Sequence, residues 1–145
     1  METLWFWLLA LMLTGYVLLD GFDLGAGALH LLLAKTGEER RLLLSAIGPV
    51  WEANHVWLIV CFVVLWTAFP EAYAMIWSTL YVPLWLAAFG IVLRGSGFAF
   101  RHAVTDLRWR RRFGAGVASS SVIVPFCLGA VAGAIASGRV TGDGT

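Results

Sequence analysis

Two aspartates stand inside an apolar run. In GYVLLDGFDLGAGALH, Gly15 to His30, the residues Tyr16, Asp20, Asp23, Gly27 and His30 follow one another at steps of four, three, four and three. A helix carries all five on one face. A second pair opens GPVWEANHVWLI, Gly48 to Ile59, where Glu52 and His55 share a face at i and i+3. Carboxylates and imidazole in series, with water between them, are what a proton relay requires. On an antiparallel helix hairpin, Glu52 and His55 are expected roughly 5 and 9 Å from the loop end of their helix. Asp23 and Asp20 then lie roughly 16 and 20 Å from the loop end of theirs, which makes a ladder climbing to mid-membrane. The same acids read as hydrogen-bonded glue between helices, and His55 as an interfacial imidazole bonded to a backbone carbonyl. Residue types alone leave these readings open.

Other chemistries have less support. Glu-x-x-His is the ligand spacing of di-iron bundles, which need two such pairs and two further glutamates. Here there is one pair, and Glu2, Glu38, Glu39 and Glu71 lie outside the apolar spans. Cys61 and Cys127 are far apart inside apolar segments and have no metal-ligand spacing. There is no nucleotide loop and no nucleophile–base pair. His30 and His55 are the only inward histidines, both near one side, so no haem is expected on this chain alone; the metal reading is likewise none.

The elements that hold these residues are membrane helices. The 145 residues are 60% hydrophobic and 13% charged, with mean hydropathy +0.82. A soluble domain has about a quarter of its residues charged. No basic tract with interleaved aromatics suggests a nucleic-acid surface. Spans of about 20 apolar residues are expected over 4–33, 49–69, 72–93 and 113–137, forming a single all-α membrane domain over 1–145. The apolar runs are continuous, which excludes the alternating strands of a membrane barrel. METLWFWLLALML lacks a positive n-region and a small-residue cleavage site, so it reads as a retained first helix and not a signal peptide.

Pro49 suits the first position of the second span. Pro83 and Pro125 are expected to kink the third and fourth spans, freeing the carbonyls of Thr79 and Ser121. Gly21, Gly25 and Gly27 in the first span, and Gly129 and Gly133 in the fourth, read as helix-packing positions. Lys35, Arg40 and Arg41 lie in the first connection, and Arg94, Arg101, Arg108 and Arg110 to Arg112 around the third. With four spans these share one face, and Arg139 is the lone cation opposite. The positive-inside rule puts the N-terminus outside. Trp5, Trp7, Trp66 and Trp77 then fall near the outer interface, and Trp51 and Trp109 near the inner one.

Four blocks in order, DGFDLG, the ERR at 39–41, GPVWEANHVWL and the GFAFR at 97–101, resemble subunit II of the cytochrome bd-type quinol oxidases. The resemblance covers most of the chain. It implies a subunit of a terminal respiratory oxidase in the bacterial cytoplasmic (inner) membrane, which oxidises quinol and reduces O2 to water electrogenically without pumping.

In the family the two b-type haems, the d-type haem and the quinol site belong to subunit I. Subunit II is a pseudosymmetric partner that stabilises the haem subunit and contributes a cytoplasmic proton path. A small third subunit accompanies some members. Glu52 occupies the position of the family's channel-mouth carboxylate; other members carry Asp and Gln at positions 52 and 55. Asp20 and Asp23 either pack helices or line a bound quinone or lipid. Family members have about eight spans, so four spans imply the N-terminal half of the subunit and a C-terminal truncation. The rival readings are half of a proton- or ion-coupled transporter and a non-catalytic membrane scaffold.

Overall fold

The computed structural model describes residues 1–101, 103–138 and 140. Its helices are α1 (Glu2–Leu33), α2 (Gly37–Ala68), α3 (Pro70–Thr79), α4 (Tyr81–Arg101) and α5 (Leu107–Ala136). Four of them, α1, α2, α4 and α5, are long and apolar enough to cross a membrane. Arg139, the lone cation expected on the outer face, lies outside the described residues, as does most of the polar tail.

α1 begins and ends close to the expected span. α2 does not: it starts at Gly37, well ahead of Pro49, because a capping box closes its first turn. The Glu39 N–H donates to Thr36 Oγ1 at 3.2 Å, and Glu39 Oε2 accepts from the Thr36 N–H at 3.2 Å. Two orphan donors are thereby satisfied, and ERR becomes part of the helix instead of a loop. Pro49 lies inside the helix, where its missing N–H costs one ladder bond and does not end the helix.

The third apolar run forms two helices rather than one span over 72–93. Pro83 has no N–H for the carbonyl of Thr79, and its ring crowds that carbonyl. α3 ends at Thr79, and Leu80 takes a non-helical ψ of 30° before α4 begins. α3 buries none of its residues. α5 begins at Leu107, earlier than expected, because Asp106 Oδ1 accepts from the Arg108 N–H at 2.8 Å and caps it. Pro125 is tolerated inside α5. The nearby hydroxyls of Ser119 and Ser120 donate to the carbonyls of Gly116 and Val117.

α1 packs against α2 and α5, and α4 packs along α5. The ring closes where Trp51 of α2 stacks on Phe98 of α4, with centroids 5.3 Å apart and planes 16° from parallel. Leu44, Ile47, Phe98 and Val117 form the apolar core at this level. The outward surface stays apolar: Leu18, Phe22 and Phe126 are all more than 70% exposed. That surface suits lipid or further protein.

Close approach uses fewer of the expected glycines than the sequence suggests. A Cβ on Gly27 would meet Ser121 Oγ, so this glycine does admit α5. Nothing lies within 4 Å of a Cβ on Gly21, Gly25, Gly129 or Gly133. These four face open surface and pack against none of the described residues. The close contacts of α4 with α5 instead depend on Gly90 and Gly97, where a Cβ would lie 2.7 Å from Val124 Cγ2 and 2.5 Å from Val117 Cγ2.

Candidate functional site

The polar stripe of α1 points into the bundle. Tyr16, Asp20, Asp23, Leu24, Gly27 and His30 are its buried residues. An ionisable side chain within a span costs about 2.5–3.5 kcal/mol on insertion scales. Each acid must therefore find a partner, and each does.

Arg94 Nη1 donates to Asp20 Oδ1 at 3.1 Å, with both side chains fully buried. Asn54 Nδ2 donates to Asp23 Oδ2 at 2.6 Å. His55 is buried beside them. Its Nδ1 lies 2.9 Å from the Trp51 carbonyl and 3.9 Å from Asp20 Oδ1. A carbonyl only accepts, so the proton of that bond is on Nδ1. Tyr16 Oη, Asp20 Oδ2, His55 Nε2 and Arg94 Nε and Nη2 have no hydrogen-bond partner among the described residues.

Arg94 overturns one expectation. The sequence groups it with the loop cations, yet it is the largest fully buried side chain among the described residues. A signal for this exists. Gly90, Arg94, Gly97 and Arg101 follow at steps of four, three and four, the spacing of the α1 stripe. The small residues let α5 approach, and the arginine supplies the cation that a buried aspartate demands.

The expected ladder becomes a set of side-by-side contacts. Because α2 starts at Gly37, His55 lies about 27 Å from the helix start and comes level with Asp20. Asn54 comes level with Asp23 and is a partner that spacing alone did not single out. Glu52 does not join them. It is exposed on the outer surface of α2, while His55 faces inward. A step from i to i+3 turns the helix by about 300°, so the two diverge by about 60°. His55 falls within the buried sector and Glu52 outside it.

These features define a multi-pass membrane protein whose helices are joined by a desolvated ion pair. The particular family comes from comparison. The family model described as cytochrome bd terminal oxidase subunit II matches residues 1–144, and the chain belongs to that family. It is 38% identical over 129 residues to cytochrome bd ubiquinol oxidase subunit 2 of Bacillus subtilis (strain 168), covering 89% of this chain and 38% of that protein. To cytochrome bd-I ubiquinol oxidase subunit 2 of Escherichia coli (strain K12) it is 33% identical over 135 residues, 93% of this chain and 36% of that protein. A probable cytochrome oxidase subunit 2 of Haemophilus influenzae (strain ATCC 51907 / DSM 11121 / KW20 / Rd) is 30% identical over 135 residues. The chain thus spans somewhat over a third of the length of these relatives.

Proposed function

We propose that this chain forms part of subunit II in a bd-type terminal oxidase that oxidises quinol and reduces O2 to water. In that role it braces a haem-bearing subunit I and takes up protons from the cytoplasm at Glu52. The bundle is one half of a pseudosymmetric eight-helix subunit in the bacterial inner membrane, with its N-terminus outside.

The observation that carries this reading is the exposure of Glu52. α2 is 32 residues long, about 48 Å, against a hydrocarbon core of about 30 Å. Its first turns hold Glu38, Glu39, Arg40 and Arg41 and project from the core, which leaves Glu52 near one interface and facing out. Lipid is a poor neighbour for a carboxylate. A partner subunit that covers this surface, with water reaching Glu52 from the cytoplasm, accounts for its position. His55, one turn on, is the next protonatable group inward.

The family implies haems, and the described residues do not fit one. Among them His30 and His55 are the buried histidines. His55 lies beside Asp20, about 15 Å along α1 from His30, so the two cannot bracket one macrocycle. The reading therefore assigns the b- and d-type haems to subunit I, and no proton step here passes through them.

One observation favours a purely structural reading for part of the site. Asp20 is engaged by Arg94 and Asp23 by Asn54, which are fixed contacts between helices. These two acids hold the bundle, or border a bound quinone or lipid, while Glu52 and His55 move protons.

The test is to purify the protein gently from native membranes, in its full-length context, and record a reduced-minus-oxidised spectrum. Absorption from b- and d-type haems with a larger copurifying membrane subunit is expected. A colourless, partner-free preparation would overturn the oxidase reading and direct attention to transport.

A further inference from the structure

A cavity of about 580 Å³ opens at the end of the bundle that carries the α1–α2 and α4–α5 connections. Six cations line it: Lys35, Arg40, Arg41, Arg101, Arg110 and Arg111. Among the described residues none of the six is ion-paired, since the charge pairs present are those of Asp20 with Arg94 and with His55. Glu39, the acid closest in sequence, spends its carboxylate on the Lys35 and Thr36 N–H groups. Two helix N-termini, at Gly37 and Leu107, and the last turns of α1 and α4 border the same space, so the helix dipoles oppose one another and the charge of the cavity is that of its side chains.

Two buried groups in the wall point to a ligand. His30 is fully buried, and its Nδ1–H donates to the Gly27 carbonyl at 2.6 Å. Its Nε2 has no partner and turns towards Gly114, another wall residue. Arg101 Nη1 is likewise buried without a partner. With Nδ1 committed as donor, Nε2 of the neutral ring is an acceptor and suits a hydroxyl. The arginines suit phosphate oxygens. Leu31, Leu44 and Leu107 give the cavity an apolar side.

We infer that this cavity is a binding site for an anionic glycerophospholipid, whose phosphate meets the arginines and whose headgroup hydroxyl meets His30 Nε2. The depth fits, because the cavity lies at the helix ends, at the level where phospholipid headgroups lie. Basic pockets between membrane helices on the cytoplasmic side are suited to such headgroups. The site is separate from the Asp20–Arg94 pair and does not depend on any proton path.

The experiment uses the intact complex, stripped of lipid in neutral detergent and titrated with phosphatidylglycerol, phosphatidylcholine or inorganic phosphate. Bound ligand is read by native mass spectrometry and thermal shift. Phosphatidylglycerol is expected to bind at least tenfold more tightly than phosphatidylcholine, and inorganic phosphate at tens of millimolar is expected not to displace it. The double variant Arg40→Gln/Arg110→Gln should bind about thirtyfold more weakly, the worth of two cations near the membrane surface. Arg108→Gln/Arg112→Gln removes equal charge from outside the cavity and should bind as the parent does. Equal binding of the two lipids overturns the proposal, and this arm needs no variant. Displacement by inorganic phosphate would assign the cavity to a soluble anion. Equal losses in both double variants would reduce the effect to general surface charge.

Discussion

Arg94 of α4 and Asp20 of α1 meet at 3.1 Å in the interior of the bundle, with neither side chain reaching the surface. The pair links two helices that otherwise touch little. Removing one partner leaves an uncompensated buried charge, at a cost of about 3–5 kcal/mol. Arg94→Gln and Asp20→Asn should each lower the thermal inactivation temperature of the assembled protein sharply. Asp20→Leu/Arg94→Met, which removes both charges, should lie closer to the parent than either single change. Singles as stable as the parent would show that the pair contributes nothing to assembly.

Asn54 and Asp23 form a second, smaller tie, between α2 and α1. Asn54→Leu leaves Asp23 Oδ2 without its donor, which should cost about 1–3 kcal/mol. Asn54→Asp is worse, because two carboxylates then share a contact of 2.6 Å. Chemical denaturation in detergent orders the three forms as parent, Leu variant, Asp variant. Any other order would mean that Asp23 takes another partner.

The glycines separate by what they face. Gly27→Ala drives a methyl group onto Ser121 Oγ, and overpacking of this kind costs about 1–3 kcal/mol. Ser121→Gly in the same chain removes the obstacle and should restore most of the loss. Gly21→Ala and Gly25→Ala meet nothing within 4 Å among the described residues and gain helix propensity. They should be neutral or stabilising in the isolated chain. A loss of partner subunit on either change would locate an interface at that surface.

The α1 stripe was legible in the sequence because the cost of burying an acid in an apolar span leaves few alternatives. Tyr16, Asp20, Asp23, Gly27 and His30 all face inward as their spacing requires. Arg94 was harder to read, because a cation near the end of an apolar run also fits a juxtamembrane role. Only its register with Gly90 and Gly97 separates the two. Pro49 reads as the start of α2, yet the helix begins at Gly37, because proline is accommodated both at a helix start and, at some cost, inside one. That shift of origin changed the depth of every residue on α2. It turned a ladder into level contacts of His55 with Asp20 and of Asn54 with Asp23. The outward turn of Glu52 follows from a 60° difference that the i, i+3 rule ignores.

Glu52 provides the separation of function from fold. It makes no hydrogen bond or ion pair with any described residue, so Glu52→Gln should change stability by no more than about 0.5 kcal/mol. Positioned proton-transfer groups are worth about 10²- to 10⁴-fold, and a water chain recovers part of that. On the proposed role in proton uptake, Glu52→Gln in the complex purified from native membranes should therefore slow oxygen consumption and proton uptake about tenfold or more while haem content stays constant. Glu52→Asp retains a carboxylate and should recover most of the rate. Oxygen electrode traces and a pH-indicator dye on the same preparation, normalised to haem absorbance, measure both quantities. Unchanged turnover in Glu52→Gln would remove this residue from the proton path. Joint loss of haem and activity would instead make the outward carboxylate a contact that holds subunit I.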